Sequence, residues 1–301
     1  MKRAMIFSLL LSASLFSFSA EERFDMEVKA DSATKVYVKH AHGSLFIQGW
    51  DRDEVVVKGV KRGTGRMAKQ LDRVWATLEK RGNTVEVIGH RESRNWSWKN
   101  WGNLSMDLEV FMPRDLALQF RHAHGSSEVS QIDGDVEASQ RHGRFDGNDF
   151  GGDVNLDNAH GKVNVAGIMG NLILDNSHGR ARLTNVRGSA DIETSHGSVT
   201  LDGVEGSVEA RGSHAGISIL PSGPITEDYT VRVNHGNIRI DVPESSDARL
   251  EMRARHGNIH TDLPAKRKGQ SNRKQAWVEL NSGRAMISLE TSHGSIRVNQ
   301  I

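Results

Sequence analysis

The sequence predicts an all-β chain wound as a parallel β-solenoid, and three observations predict it. Histidine recurs at His124, His142, His160, His178, His196 and His214, each 18 residues after the last. Apolar residues recur with it at fixed offsets, in two short alternating runs per repeat. Glycine punctuates every repeat twice. Self-similarity at a fixed period of this size is the signature of stacked coils, none of which can bury its apolar face alone.

The chain begins with Lys2 and Arg3, an apolar run from Ala4 to Leu15, and the small residues Ser17, Ser19 and Ala20. This pattern predicts a secretory signal peptide over residues 1–20 and export to the periplasm or cell surface. No later stretch approaches the roughly 20 consecutive apolar residues of a membrane-spanning helix, so no transmembrane segment is expected after cleavage. With no cysteine in 301 residues, disulfides, thiol nucleophiles and thiolate metal sites are excluded. Loss of Lys2 and Arg3 takes two from the 39 Lys+Arg, against 38 Asp+Glu. Such a balance gives no general attraction to nucleic acid.

Residues 21–120 read as the closure of one end. His42-Gly43, Leu45 and Ile47 repeat the corner and its offsets, so a first coil is expected here, ending at Gly49-Trp50-Asp51 and followed by a strand over 54–57. A helix is expected over 65–81, with Met67, Leu71, Val74, Trp75 and Leu78 on one face and Gly82 ending it; it would cap or flank the solenoid. Strands near 84–89 and 104–111 enclose Trp96, Trp98 and Trp101. These three tryptophans read either as a partner-binding patch for a sugar or a surface or as a loop plugging the solenoid.

Residues 121–301 carry the repeats. Counted from each histidine, positions three, five, eight, twelve and fourteen are apolar in most coils; in the coil of His160 they are Val163, Val165, Ile168, Leu172 and Leu174. Period-two alternation predicts two half-buried strands per coil. Positions one and ten are glycine in the five regular coils (Gly179 and Gly188, for example), expected as corners where φ turns positive. His235 and His256 follow at 21-residue spacing and His293 closes the series. Lys266-Arg267-Lys268 and Arg273-Lys274 read as a basic loop, either solvated or touching anionic polysaccharide or lipid.

The order of these parts, a signal peptide, a first coil ending in Gly49-Trp50-Asp51, one helix, then repeats of the form small-His-Gly-x-apolar-x-apolar, resembles the bacterial putative-adhesin, β-strand-repeat family, a domain of unknown function. The resemblance covers nearly all of the mature chain. It implies a right-handed, single-stranded parallel β-helix and brings no catalytic residues. Where that family commonly has Asn or Ser before the corner glycine, this chain has His.

Stacked coils lie about 4.8 Å apart, so His124, His142, His160, His178, His196 and His214 are expected to form one imidazole column. Imidazole is a ligand for Zn, Cu and Ni, which makes these six the candidate metal-binding residues; the alternative is a corner position at which histidine stacks as an Asn ladder would. His40/His42 and His122/His124 form two H-x-H pairs whose side chains share a face if the segment is extended. Ser-His neighbours such as Ser213-His214 are expected to point apart, and no catalytic residue or organic cofactor is expected. Three functions follow: a non-enzymatic exported scaffold or adhesin-like protein binding an envelope polysaccharide or protein, a periplasmic metal-binding protein, and a carbohydrate-active β-helix enzyme.

Overall fold

The structure, a computed structural model, describes residues 19–92, 103–264, 266–270 and 273–301. The chain divides into two compact units, Met1–Asp146 and Gly147–Ile301. Both are all-β.

In the second unit the 18-residue period is the stacking period. Strand Val154–Ile168 pairs in parallel with Leu172–Val186, which pairs with Ala190–Val204, which pairs with Val208–Leu220; His160 lies opposite His178, His178 opposite His196 and His196 opposite His214. The expected apolar columns are the core. Val163, Leu183, Leu201, Ile192 and Leu174 are all essentially inaccessible. At roughly 1.5–3 kcal/mol for each fully buried aliphatic side chain, every coil adds several kcal/mol of burial shared with its neighbours.

Each coil bends three times. At the first corner of most coils the glycine after histidine, from Gly43 to Gly197 and again at Gly236 and Gly294, takes φ between 120° and 154°, and a Cβ on Gly179 or Gly197 would stand 1.8 Å from the glycine carbonyl oxygen of the preceding coil. The position-ten glycines are needed for a different reason from the one expected: none has positive φ among Gly134, Gly152, Gly170, Gly188 and Gly206. Instead, the preceding coil passes so close that a Cβ on Gly188 or Gly206 would meet its glycine carbonyl oxygen at 2.4 Å. Positive φ falls also at position seven, at Gln131, Asp149, Gly167, Asn185 and Gly203, a set biased toward the residues that tolerate the left-handed region.

Chain order breaks at the C-terminal end. Strand Tyr229–His235 pairs with Ala285–His293, which pairs on its other side with Ala248–His256. The last coil is thus inserted between the two coils that precede it, and Ile296–Gln300 lies between Ile238–Val242 and Ile259–Thr261. The expected basic loop is a hairpin. Arg273–Glu279 pairs antiparallel with Ala248–His256 and with Lys266–Gln270, because Ala276 and Val278 alternate inward and the strand Ala248–His256 offers them an open edge.

The first unit shows a related arrangement. Coil Lys35–His42 and Leu45–Trp50 is sandwiched between Ala117–His124 and Ser127–Ile132 on one side and Thr84–Arg91 and Leu104–Pro113 on the other. Antiparallel strands finish this end: Val74–Arg81 on Thr84–Arg91, Glu54–Thr64 on Leu104–Pro113, and Ser19–Lys29 on Glu54–Thr64. The helix expected over 65–81 is not formed. Short 3-10 turns occupy Gly65–Lys69 and Leu71–Arg73, and Val74–Arg81 is a strand turning through Gly82, φ 62°, into its partner. The helical periodicity was coincidental: Met67 and Val74 are buried, but Trp75 is 41% exposed. Val74, Trp75 and Thr77 favour a strand, and an unpaired neighbour edge decides the outcome.

Gly197→Ala is expected to cost at least about 2 kcal/mol, since strain at positive φ adds to the clash with the coil below. Asn185→Gly, at a left-handed position already occupied by a side chain, should stay within about 1 kcal/mol of the parent. Urea unfolding midpoints of the two variants check this; equal, small shifts would contradict the corner geometry.

Candidate functional site: an imidazole ridge and a sheet-face cleft

The corner geometry places the recurring histidines side by side. In the first unit His42 stacks on His124 at 4.8 Å between ring centroids and His124 on His142 at 4.9 Å, both with planes within 4° of parallel. In the second unit the order is His160, His178, His196, His214, His235, His293 and His256, at 4.6–5.1 Å. Five of these six stacked pairs lie within 5° of parallel, His293–His256 standing at 18°, and all seven rings are exposed. His124, His142, His160, His178, His196 and His214 therefore stand at equivalent corners, and His293 enters the series ahead of His256.

Three residues before the ridge, Asp157, Asp175 and Glu193 form a short acidic column, replaced by Arg211 and Arg232 in the next coils. Partial burial, with Asp157 and Glu193 on either side, raises the Asp175 carboxyl above the usual range. Ser213 Oγ comes within 3.4 Å of His214 Nδ1, so this pair does not point apart as expected; the bend at the corner turns both outward.

The H-x-H pairs are split by the same bend. Ala41 and Ala123 have no partner in the ladder that matches His40 with His122 and His42 with His124. As a result His40 and His122 face inward, 3% and 1% exposed, while His42 and His124 face out. The two buried rings stack at 5.3 Å. His122 Nδ1 meets Ser127 Oγ at 2.7 Å, and Ser127 Oγ donates to Gln140 Oε1 at 2.7 Å. Both ring nitrogens of His40, and His122 Nε2, are buried without a well-formed hydrogen bond.

This inward position, two before the histidine, is in most coils a polar column within the core that counting apolar offsets passes over, giving way to Gly212, Val233 and Ala254 further on. Gln140, Asn158, Asn176, Thr194 and Thr291 are all buried there. Gln140 Nε2 donates to the carbonyls of Gly125 and His142 at 2.8 and 3.1 Å, Thr291 Oγ1 to that of Gly236 at 3.1 Å, and Asn158 Nδ2 to Asn176 Oδ1 at 2.7 Å. These side chains satisfy corner carbonyls and one another. The sequence signal is that the position carries amides and hydroxyls but no Asp, Glu, Lys or Arg in these coils.

A cleft of about 660 Å3 opens on the outward sheet face of the first unit, where Phe46 stands among charged side chains. Beside it Phe46 and Phe111 meet edge to face at 6.1 Å and Trp50 stacks on Phe111 at 5.4 Å. Trp96, Trp98 and Trp101 lie outside the described residues. Among the described residues no helix is long and apolar enough to cross a membrane, and no three His, Asp or Glu side chains converge as a metal site.

Residues 34–299 match the family described as Toastrack DUF4097. Three solved structures are similar to the chain: a putative cell adhesion protein from Clostridium sporogenes (14% identity, 93% of this chain and 100% of that one, TM-score 0.31), a putative adhesin from Bacteroides fragilis (13%, 93% and 97%, 0.41) and a putative lipid binding protein from Parabacteroides distasonis (12%, 94% and 97%, 0.44). No curated protein matches.

Burial holds both His40 and His122 down at about 4, with further lowering from the neighbouring histidine charge and only partial opposition from nearby backbone groups. An unfolded imidazole titrates near 6.5, so between these values the unfolded chain binds protons that the folded one refuses. Stability is then complete above pH 6.5 and falls as pH drops toward 4, on the order of 3 kcal/mol for each ring. Urea midpoints measured from pH 8 to 4 should decline more steeply for the parent than for a His40→Leu/His122→Leu double variant; parallel curves would refute the assignment.

Proposed function

Because the chain belongs to the Toastrack DUF4097 family, whose function is unknown, we propose from its own surface that it is a non-enzymatic, exported, adhesin-like scaffold of the bacterial envelope. The observation that carries this reading is the exposed imidazole ridge. The corner does not require histidine, because in most coils the following glycine takes the unusual backbone conformation; in the ridge each ring stacks on its neighbours and is exposed to solvent. A row of donor and acceptor nitrogens every 4.6–5.1 Å is a surface for a partner that extends across several coils.

Binding of the labelled mature protein to isolated cell envelopes, compared with a variant carrying His142→Asn, His160→Asn, His178→Asn and His196→Asn, tests this. Asparagine suits the corner, so the melting temperature should hold while affinity drops at least tenfold. Unchanged binding by the variant, or no saturable binding by the parent, would sink the proposal.

A second reading, a metal-binding ridge for Zn, Cu or Ni, is favoured by the in-register neighbours. In parallel rings, like nitrogens are about as far apart as the centroids, whereas an ion about 2.0–2.1 Å from each spans at most roughly 4.2 Å. Two rings must therefore swivel about Cβ–Cγ, a soft torsion, and the rest of the coordination falls to water. On this reading calorimetry gives no more than one ion per two rings and loses the signal in the four-Asn variant; a flat parent titration excludes it.

A further inference from the structure

We propose that the cleft on the first unit's sheet face is a binding site for a neutral oligosaccharide. The inference deepens the scaffold reading by naming a ligand class, but it rests on residues remote in sequence from the ridge coils of the second unit.

The strand register builds the cleft. One row of side chains crosses five strands: Asp25 lies opposite Lys58, Lys58 opposite Glu109, Glu109 opposite Phe46, and Phe46 opposite Glu128. Phe46 is half-buried, and its two neighbours in the row, Glu109 and Glu128, are exposed carboxylates. In the adjacent row Ser44 N donates to Asp107 Oδ1 at 2.8 Å, Ser126 Oγ donates to Ser44 Oγ at 3.4 Å, and Arg62 pairs with Asp107. An aromatic platform flanked by carboxylates, with hydroxyls and a guanidinium one row away, thus lines a single concave surface.

Size and charge decide the ligand class. About 660 Å3 is within the usual range for a small-molecule cleft, roughly 300–1,000 Å3. Four basic and five acidic side chains line it, so nothing in its charge gathers an anion, and the carboxylates on both sides of Phe46 would repel a phosphate or uronate seated on the ring. A neutral polyol suits each part. The apolar C–H face of a pyranose packs on the phenyl ring, its hydroxyls donate to Glu109 and Glu128, and other hydroxyls accept from arginine and serine. The row spans five strands about 4.8 Å apart, so it offers contacts to consecutive sugar units rather than to one.

Saturation-transfer NMR on the mature protein, with chitotriose, cellotriose, maltotriose and mannotriose as neutral probes and trigalacturonate and tripolyphosphate as charged ones, tests the proposal. At least one neutral trisaccharide should bind. Phe46→Ala and Glu128→Gln should each weaken it tenfold or more at an unchanged melting temperature, while Phe46→Trp retains it. The four-Asn ridge variant should bind it as the parent does, which separates failure of this site from failure of the ridge. Binding of the charged probes alone, of none of the six, or undiminished binding by a folded Phe46→Ala protein would overturn the assignment.

Discussion

Parallel pairing of each residue with its counterpart one coil away is the constraint from which the rest follows. A side chain in such a stack has its own copy, or a substitute for it, above and below at the spacing of a β-ladder. Aliphatic residues tolerate this without limit, and the columns through Leu174, Ile192 and Ala210 are dry for that reason. Where the backbone of one coil approaches that of the next, no side chain fits, and glycine repeats. Amides repeat in the core because one can donate to the next, as Asn158 does to Asn176. Like charges repeat badly: the acidic column is three residues long before arginine replaces it, and its middle member is already harder to ionise. Imidazole, flat and largely uncharged at neutral pH, is among the few polar groups that can be stacked coil after coil on a surface.

The same rule makes the two ends difficult, since a terminal coil has one face without a partner. Both ends depart from simple winding. At the C-terminal end the last coil, ending in Ile296–Gln300, is laid between coils 229–242 and 248–261, which puts the terminal strand inside the ladder and leaves an antiparallel hairpin to finish the outer coil. At the N-terminal end the sandwiched coil is the first one, and antiparallel strands again complete the surface. An antiparallel strand can leave the coil path and return by a short turn, so it closes a stack that another parallel coil would only extend. The outermost of these, Ser19–Lys29, alternates Glu21, Arg23, Asp25 and Glu27 on its exposed side, and such charges discourage pairing with another chain.

What could be read from the sequence divides along the same line. The regular coils were legible in detail, because each position is sampled five times and chance patterns average out; every apolar column expected there is buried. The helix over 65–81 was misread because that segment occurs once, and a single amphipathic match cannot be told from a strand whose partner lies elsewhere in the chain. The inward turn of His40 and His122 was hidden by a bend at Ala41 and Ala123 that alternation does not encode. The exchange of order between His256 and His293 was equally invisible, since spacing records distance along the chain and not which coil docks first. The cleft could not be read at all: Asp25, Lys58, Glu109, Phe46 and Glu128 come from five segments, and only the register aligns them.

These two kinds of surface are suited to different recognition. A repeated column offers the same contact many times, so it gains by spanning a long partner and can do little to distinguish one end of that partner from the other. A cleft assembled from non-repeating rows can place an aromatic ring, a carboxylate and a guanidinium in one fixed relation, which is what selection between similar small ligands needs. A stack of regular coils alone has little freedom to build such a constellation, because a residue introduced for one contact must also fit between its neighbours above and below; the cleft joins Ser126 and Glu128 of one such coil to strands outside the repeat. The irregular first unit, where strands of both directions meet in one face, is free of that requirement. Selectivity in this chain is therefore expected where the repeat breaks down, and length of contact where it holds.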